Sequence, residues 1–206
     1  MNSFETDLKR AVISIPFVLG VLLEFGILMT AGFDSDLFKV SIPVVATFPY
    51  STAWLLDYQS GFIKSYVSRC GVRQYILGKI IACGISGGLA ELVGCFLFTL
   101  TDSKVEIKLG LIFVSGILWA VLSATLAAWS GSRYIAYGGS FVIYYILVIL
   151  HDRYFDNLYC FYPYEWIKPE HTWVFEEQGI VILILGMVLV LMLVYYEILR
   201  RCIERV

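Results

Sequence analysis

Polar residues in this chain fall in short clusters between long apolar runs. Six runs reach the roughly 20 mostly apolar residues that a membrane-crossing helix needs. They lie at approximately 12–31, 39–56, 75–100, 108–130, 134–151 and 179–199. The sixth, "IVILILGMVLVLMLVYYEIL", is the plainest. The second holds Pro43 and Pro49, so it is expected to be bent or partly broken, which neighbouring helices in a bundle can tolerate. The first lacks a small-x-small cleavage site before a polar domain, so it reads as a retained span rather than a signal peptide. The pattern predicts an all-α, polytopic membrane protein with six transmembrane helices in one domain, 1–206.

Three segments between or before the runs have patterns of their own. In residues 1–11, Phe4 and Leu8, with Val12 next, recur every four positions while Asp7, Lys9 and Arg10 point elsewhere. That predicts a short helix lying at the membrane interface; a frayed terminus is the alternative. In residues 57–70, Tyr58, Phe62 and Tyr66 share one helical face, widened by Ile63 and Val67, and Gly71 marks a turn. Residues 152–178 are dense in aromatics, among them Tyr154, Phe155, Tyr159, Phe161, Tyr162, Tyr164, Trp166, Trp173 and Phe175. Trp and Tyr concentrate at membrane interfaces. This segment is therefore expected to form short re-entrant helices in the outer leaflet.

Composition agrees with lipid as the solvent. Hydrophobic residues make up 59% of the chain and charged residues 16%, against roughly 25% charged in soluble domains. A net charge of −2 speaks against nucleic acid as a partner. Cys70, Cys83, Cys95, Cys160 and Cys202 are scattered, with no CxxC, so neither a zinc site nor a disulfide framework is expected. The charges also orient the chain. Lys9, Arg10, Lys64, Arg69, Arg73, Lys79, Arg133, Arg200, Arg201 and Arg205 fall on one side of the six runs, and Lys39, Lys104, Lys108, Arg153 and Lys168 on the other. The richer side is cytoplasmic by the positive-inside rule, which places both termini inside a cell membrane. Asp34, Asp36, Asp152 and Glu165 are among the acids that fall outside.

Within the runs, Gly84 and Gly88 form a GxxxG, and Gly116, Ala120, Ala124 and Ala128 recur every four residues. Such stripes let helix backbones approach closely. Glu24 and Glu91 lie inside the first and third runs. Carboxylates at membrane depth face a bundle interior or a watery cavity. Both are candidates for a substrate pathway, a hydrogen-bonded carboxyl within the bundle being the other reading. Arg73 and Lys79, at the foot of the third run, are expected to snorkel toward the headgroups. No HExxH, GxSxG or GxxxxGK[ST] is present. The chain therefore reads as a non-enzyme, with no phosphate loop of its own.

One stretch carries a resemblance. Asp57, Gly61, Ser68, Arg69, Tyr75, Leu77, Gly78 and Lys79, in a short amphipathic helix leading through "YILGK" into a span, resemble the permease subunits of type 2 ATP-binding cassette exporters. Asp57 stands where that family commonly has glutamate. The resemblance implies that 57–70 is a coupling helix, with Asp57, Tyr58, Gly61, Phe62, Tyr66 and Arg69 meeting a separate cytoplasmic ATPase. ATP and Mg would belong to that partner, and no cofactor to this chain. It also implies a dimer, with a second copy or a sister permease, among membrane lipid. The cargo would be a peptide, lipid or hydrophobic drug. A six-span substrate-binding subunit of a vitamin uptake transporter is the alternative. A lipid-modifying membrane enzyme is a third class, for which no polar catalytic cluster is found.

Overall fold

The computed structural model describes residues 3–101, 107–155, 158–173 and 176–205, without the side chains of 3, 176 and 177. Asp102, Lys104, Glu106, Asp156 and Phe175 lie outside the described residues. The described chain is helical, with no strand. Its helices are α1 (Ser3–Val12), α2 (Ile15–Ala31), α3 (Asp36–Val45), α4 (Ala53–Gln59), α5 (Phe62–Cys70), α6 (Val72–Thr101), α7 (Leu109–Ser130), α8 (Arg133–Tyr154) and α9 (Glu176–Glu204). A single 3-10 turn, Tyr159–Phe161, lies between α8 and α9.

Helices α6, α7 and α8, with Gln178–Glu204 of α9, are long and apolar enough to cross a membrane. They correspond to the last four apolar runs. The first run is the shorter α2, bent 48° from α1, and the pair would make a fifth candidate. The bend has a local cause: Ser14 caps α2 by accepting from the Phe17 amide at 3.2 Å, and Pro16 occupies its first turn. The second run is not one helix. Pro43 sits inside α3, which stops at Val45; turns follow through residue 52, and α4 then begins. Proline at 43 and 49 removes two amide donors that a continuous helix would use.

The two ends of the bundle differ. At one end, here the foot, α1, α4 and α5 gather around the start of α6. At the other, the crown, the segment 158–173 folds over the turn that joins α2 to α3. Helix α6 is central and packs on α1, α2, α7 and α9. Its contact with α7 is close because the small residues predicted to allow it are there. A Cβ at Gly88 would lie 2.7 Å from the Phe113 carbonyl oxygen, and one at Gly116 would lie 2.9 Å from Gly88 Cα. By contrast α8 and α9 turn wide apolar faces outward, including Val142, Ile146, Ile149, Leu185, Leu189 and Leu193. Surfaces of that extent are unusual on a protein solvated by water.

The two amphipathic segments fare differently. Helix α1 forms, but its buried positions are Asp7 and Ala11, while Phe4 is exposed. And 57–70 is not a single helix. Gly61, with φ at +71°, separates α4 from α5. Only glycine adopts that conformation without strain, so Tyr58 cannot share a helical face with Phe62 and Tyr66.

Candidate functional site

The foot is built on Lys79, which does not snorkel: its side chain is 2% exposed. Its ammonium lies 2.9 Å from Asp7 Oδ1 and 2.7 Å from Asp57 Oδ2, and donates to the Tyr50 hydroxyl at 2.7 Å. An ammonium has three protons, and these partners take all three. Tyr50 in turn donates to Asp7 Oδ1 at 2.6 Å, and Tyr75 to Asp57 Oδ2 at 3.3 Å. Arg10, half exposed, stands 3.7 Å from Asp57 Oδ1. Two acids therefore face two bases. Burying such charges is costly, and a geometry that satisfies every donor is what offsets it. The cluster joins α1, the turn before α4, α4 itself and α6.

Asp57 is thus a buried member of this clamp rather than a surface residue, which corrects its expected place on a docking face. The other residues of the expected coupling site divide. Tyr58 stacks on Trp54 with ring centroids 5.2 Å apart, and Phe62 on Tyr66 at 5.2 Å. Tyr66 meets the edge of Tyr75 at 5.8 Å. Tyr58, Gly61, Phe62, Lys64 and Arg69 are exposed, while Ile63 is buried under α5. A chain of direct contacts therefore runs from the exposed Phe62 through Tyr66 and Tyr75 to Asp57 and Lys79.

Glu24 and Glu91 are brought together. Both are fully buried, and their carboxyls face one another between α2 and α6. Ser41 of α3 lies 3.1 Å from Glu24 Oε2 and 2.7 Å from the Phe38 carbonyl oxygen, so its one proton serves two acceptors. The packing is tight, since a Cβ at Gly94 would lie 2.8 Å from Glu24 Cβ and one at Gly116 would lie 3.0 Å from Glu91 Cγ.

The crown is an aromatic lid. Trp166 is fully buried, 6.0 Å from Trp119 of α7, and donates to the Cys160 carbonyl at 3.0 Å. Glu165, 1% exposed, organises the turn after it. It accepts from the Glu170 amide at 3.2 Å, from Trp173 Nε1 at 3.3 Å, and pairs with His171 Nδ1 at 2.7 Å. Lys168 bonds Asp34 across the two crown segments. That bond holds the Asp34 carboxyl below the usual carboxylate range and the Lys168 ammonium above its own. Burial pushes the Tyr162 and Tyr164 phenols up. The described part of the segment packs on the bundle through turns and one 3-10 turn rather than the expected short helices. Among the described residues no group of three or more His, Cys, Asp or Glu is placed to hold a metal ion.

Two clefts adjoin the crown. One, of about 560 Å³, lies between α3 and α8 and contains Asp36, Lys39, Asp152 and Arg153. The other is an apolar groove of about 750 Å³ between α8 and α9, floored by Leu118, Trp119 and Leu122 and closed at one end by Phe161 and Trp166. Neither is lined by Glu24 or Glu91.

No protein-family model, curated protein or solved structure matches the chain. The roles of Asp7, Tyr50, Ser41 and Glu165 were not visible in the sequence. Asp7 and Tyr50 are 43 positions apart, beyond any helical period. Glu165 carried only the general signal of an acid among aromatics.

Proposed function

We propose that this chain is the membrane-spanning permease subunit of an ATP-binding cassette transporter, driven by a separate cytoplasmic ATPase that docks on α5. The observation that carries this reading is the contact chain from exposed Phe62 to the buried Lys79 clamp. A short helix that only lay on headgroups would not need a rigid link into four other elements. Force applied to α5 would pass through Tyr66 and Tyr75 into α6, α4 and α1 together. Aromatic anchors such as Phe62 are typical of interface centres, and Lys64 and Arg69 add charge beside them.

In this reading the foot is cytoplasmic, in line with the positive-inside excess. The crown caps a pathway completed by a second copy or a sister permease. ATP binding in the partner would favour one of two bundle arrangements over the other, which is how a bound ligand does mechanical work. The exported cargo would be a peptide, lipid or hydrophobic drug.

The test is recovery of nucleotide-hydrolysing activity with the tagged chain from its native membranes. Phe62→Asp, in an exposed position, should abolish that recovery while the chain still inserts and melts normally. Undiminished recovery with Phe62→Asp, or none with the unaltered chain, would overturn the reading. Purification with a bound vitamin would favour the uptake subunit instead.

A further inference from the structure

We propose that Glu24 and Glu91 form a binding site for a single proton inside the bundle, and that its occupancy sets how closely α2 packs on α6. The inference goes beyond the permease reading and stands whatever the cargo.

The argument starts from unmet hydrogen bonds. Glu24 Oε1 and both carboxyl oxygens of Glu91 are buried with no hydrogen-bond donor. The donors identified beside the pair are shared or weak. From α3 comes Ser41, whose proton is shared with the Phe38 carbonyl. The Ala46 amide lies beside Glu91 but donates to the Ile42 carbonyl at 3.1 Å. From α7 comes Gly116, which has no side chain, and α6 adds the thiol of Cys95. Among the described residues, no lysine, arginine or histidine contributes to the pair's electrostatics. Two ionised carboxylates cannot sit face to face at full burial without a countercharge, since burial and like charge both disfavour the ionised form.

The countercharge has to be small. Metal cations require a shell of oxygen ligands, and the walls here are the methylenes of the two glutamates and the backbone of Gly94 and Gly116. A proton needs no shell. Placed on Glu91, it becomes a donor to Glu24 Oε1 and satisfies two of the three bare oxygens with one short, charge-assisted bond.

The same geometry makes the site responsive. With the proton gone, two like charges would push α2 from α6 at the point where Gly94 lets them touch. Helix α2 has a bend at its base, 48° from α1, and α1 is pinned by Asp7 in the foot. Proton loss would therefore swing α2 about residues 13–14 rather than move the whole bundle.

Infrared spectroscopy of the purified chain labelled with ¹³C-carboxyl glutamate tests the site. Near neutral pH, where solvated glutamates are ionised, a protonated-acid carbonyl band should shift with the label. It should disappear in Glu24→Gln/Glu91→Gln. The melting temperature of the unaltered chain should fall by several degrees from about pH 5 to about pH 9, and that slope should be lost in Glu91→Gln. Absence of the band in the unaltered chain overturns the proposal, and needs no variant to fold. So does persistence of the band in the double variant. A band or melting temperature that responds to sodium or potassium at fixed pH and ionic strength would replace the proton by a metal cation.

Discussion

Helix α6 carries two buried charge sites, Lys79 at the foot and Glu91 about 18 Å further along at the helical rise. Each involves two carboxylates at essentially no exposure. At the foot the pair is Asp7 and Asp57, with an ammonium between them and Arg10 beside them. In the core the pair is Glu24 and Glu91, with no cationic side chain beside them among the described residues. In the first, every ammonium proton and both tyrosine hydroxyls have an acceptor. In the second, three carboxyl oxygens have no donor among the described residues. Burial alone does not separate a clamp from a switch; the tally of donors against acceptors does.

The strongest way to break the comparison is to make the foot resemble the core. Lys79→Met would leave Asp7 and Asp57 buried without their cation. A loss of about 3–5 kcal/mol is expected, seen as failure to accumulate in the membrane or as melting at a much lower temperature. Adding Asp7→Asn and Asp57→Asn to that variant should restore much of the loss, and the non-additivity would measure the clamp. Asp57→Asn alone is milder, because Lys79 keeps Asp7 and Tyr50. About 1–3 kcal/mol should go, readable as a lower melting temperature in a chain that still inserts. In the core, Gly94→Ala would press a methyl against Glu24. It should cost about 1–3 kcal/mol as overpacking, and infrared spectroscopy should show the carboxyl band displaced.

The smallest effect belongs to the crown, where the Lys168–Asp34 pair sits in solvent. Lys168 lowers the Asp34 pKa, so this bond contributes above the unfolded carboxylate pKa and is lost as pH falls through the folded value. The Lys168 pKa is raised, so the contribution is also lost as pH rises through the alkaline range. Both side chains are well exposed, and screening leaves little. Asp34→Asn should shift the melting temperature barely at all near neutral pH. A large shift would mean that the crown depends on this contact more than its exposure allows.

The long apolar runs could be read directly as α6 to α9, because length and hydropathy alone specify such helices. So could the small-residue stripes that hold Gly88 and Gly116, though not that the two face each other. The break in the second run was announced by Pro43 and Pro49. The break at Gly61 was equally present in the sequence but hidden by spacing: Tyr58, Phe62 and Tyr66 fit a helix period that the backbone does not follow. The clamp lay beyond local pattern altogether. Lys79 meets Tyr50 and Asp7 from 29 and 72 positions away, and an amphipathic reading of α1 points Asp7 the wrong way. Glu24 and Glu91 stood out singly as acids in oil. Their pairing depended on Gly94, whose missing side chain lets α2 reach α6.

The same separation has a consequence for how the molecule is made. Positions 7 and 79 are 72 residues apart, so at about 5–20 residues per second Asp7 is synthesised about 4–14 s before its partner. Until α6 arrives, Asp7 lacks the Lys79 ammonium. Closure of the foot is then a late assembly step that only a chain with α6 correctly inserted can complete. A chain in which α6 has not entered would leave α1 without its main packing partner.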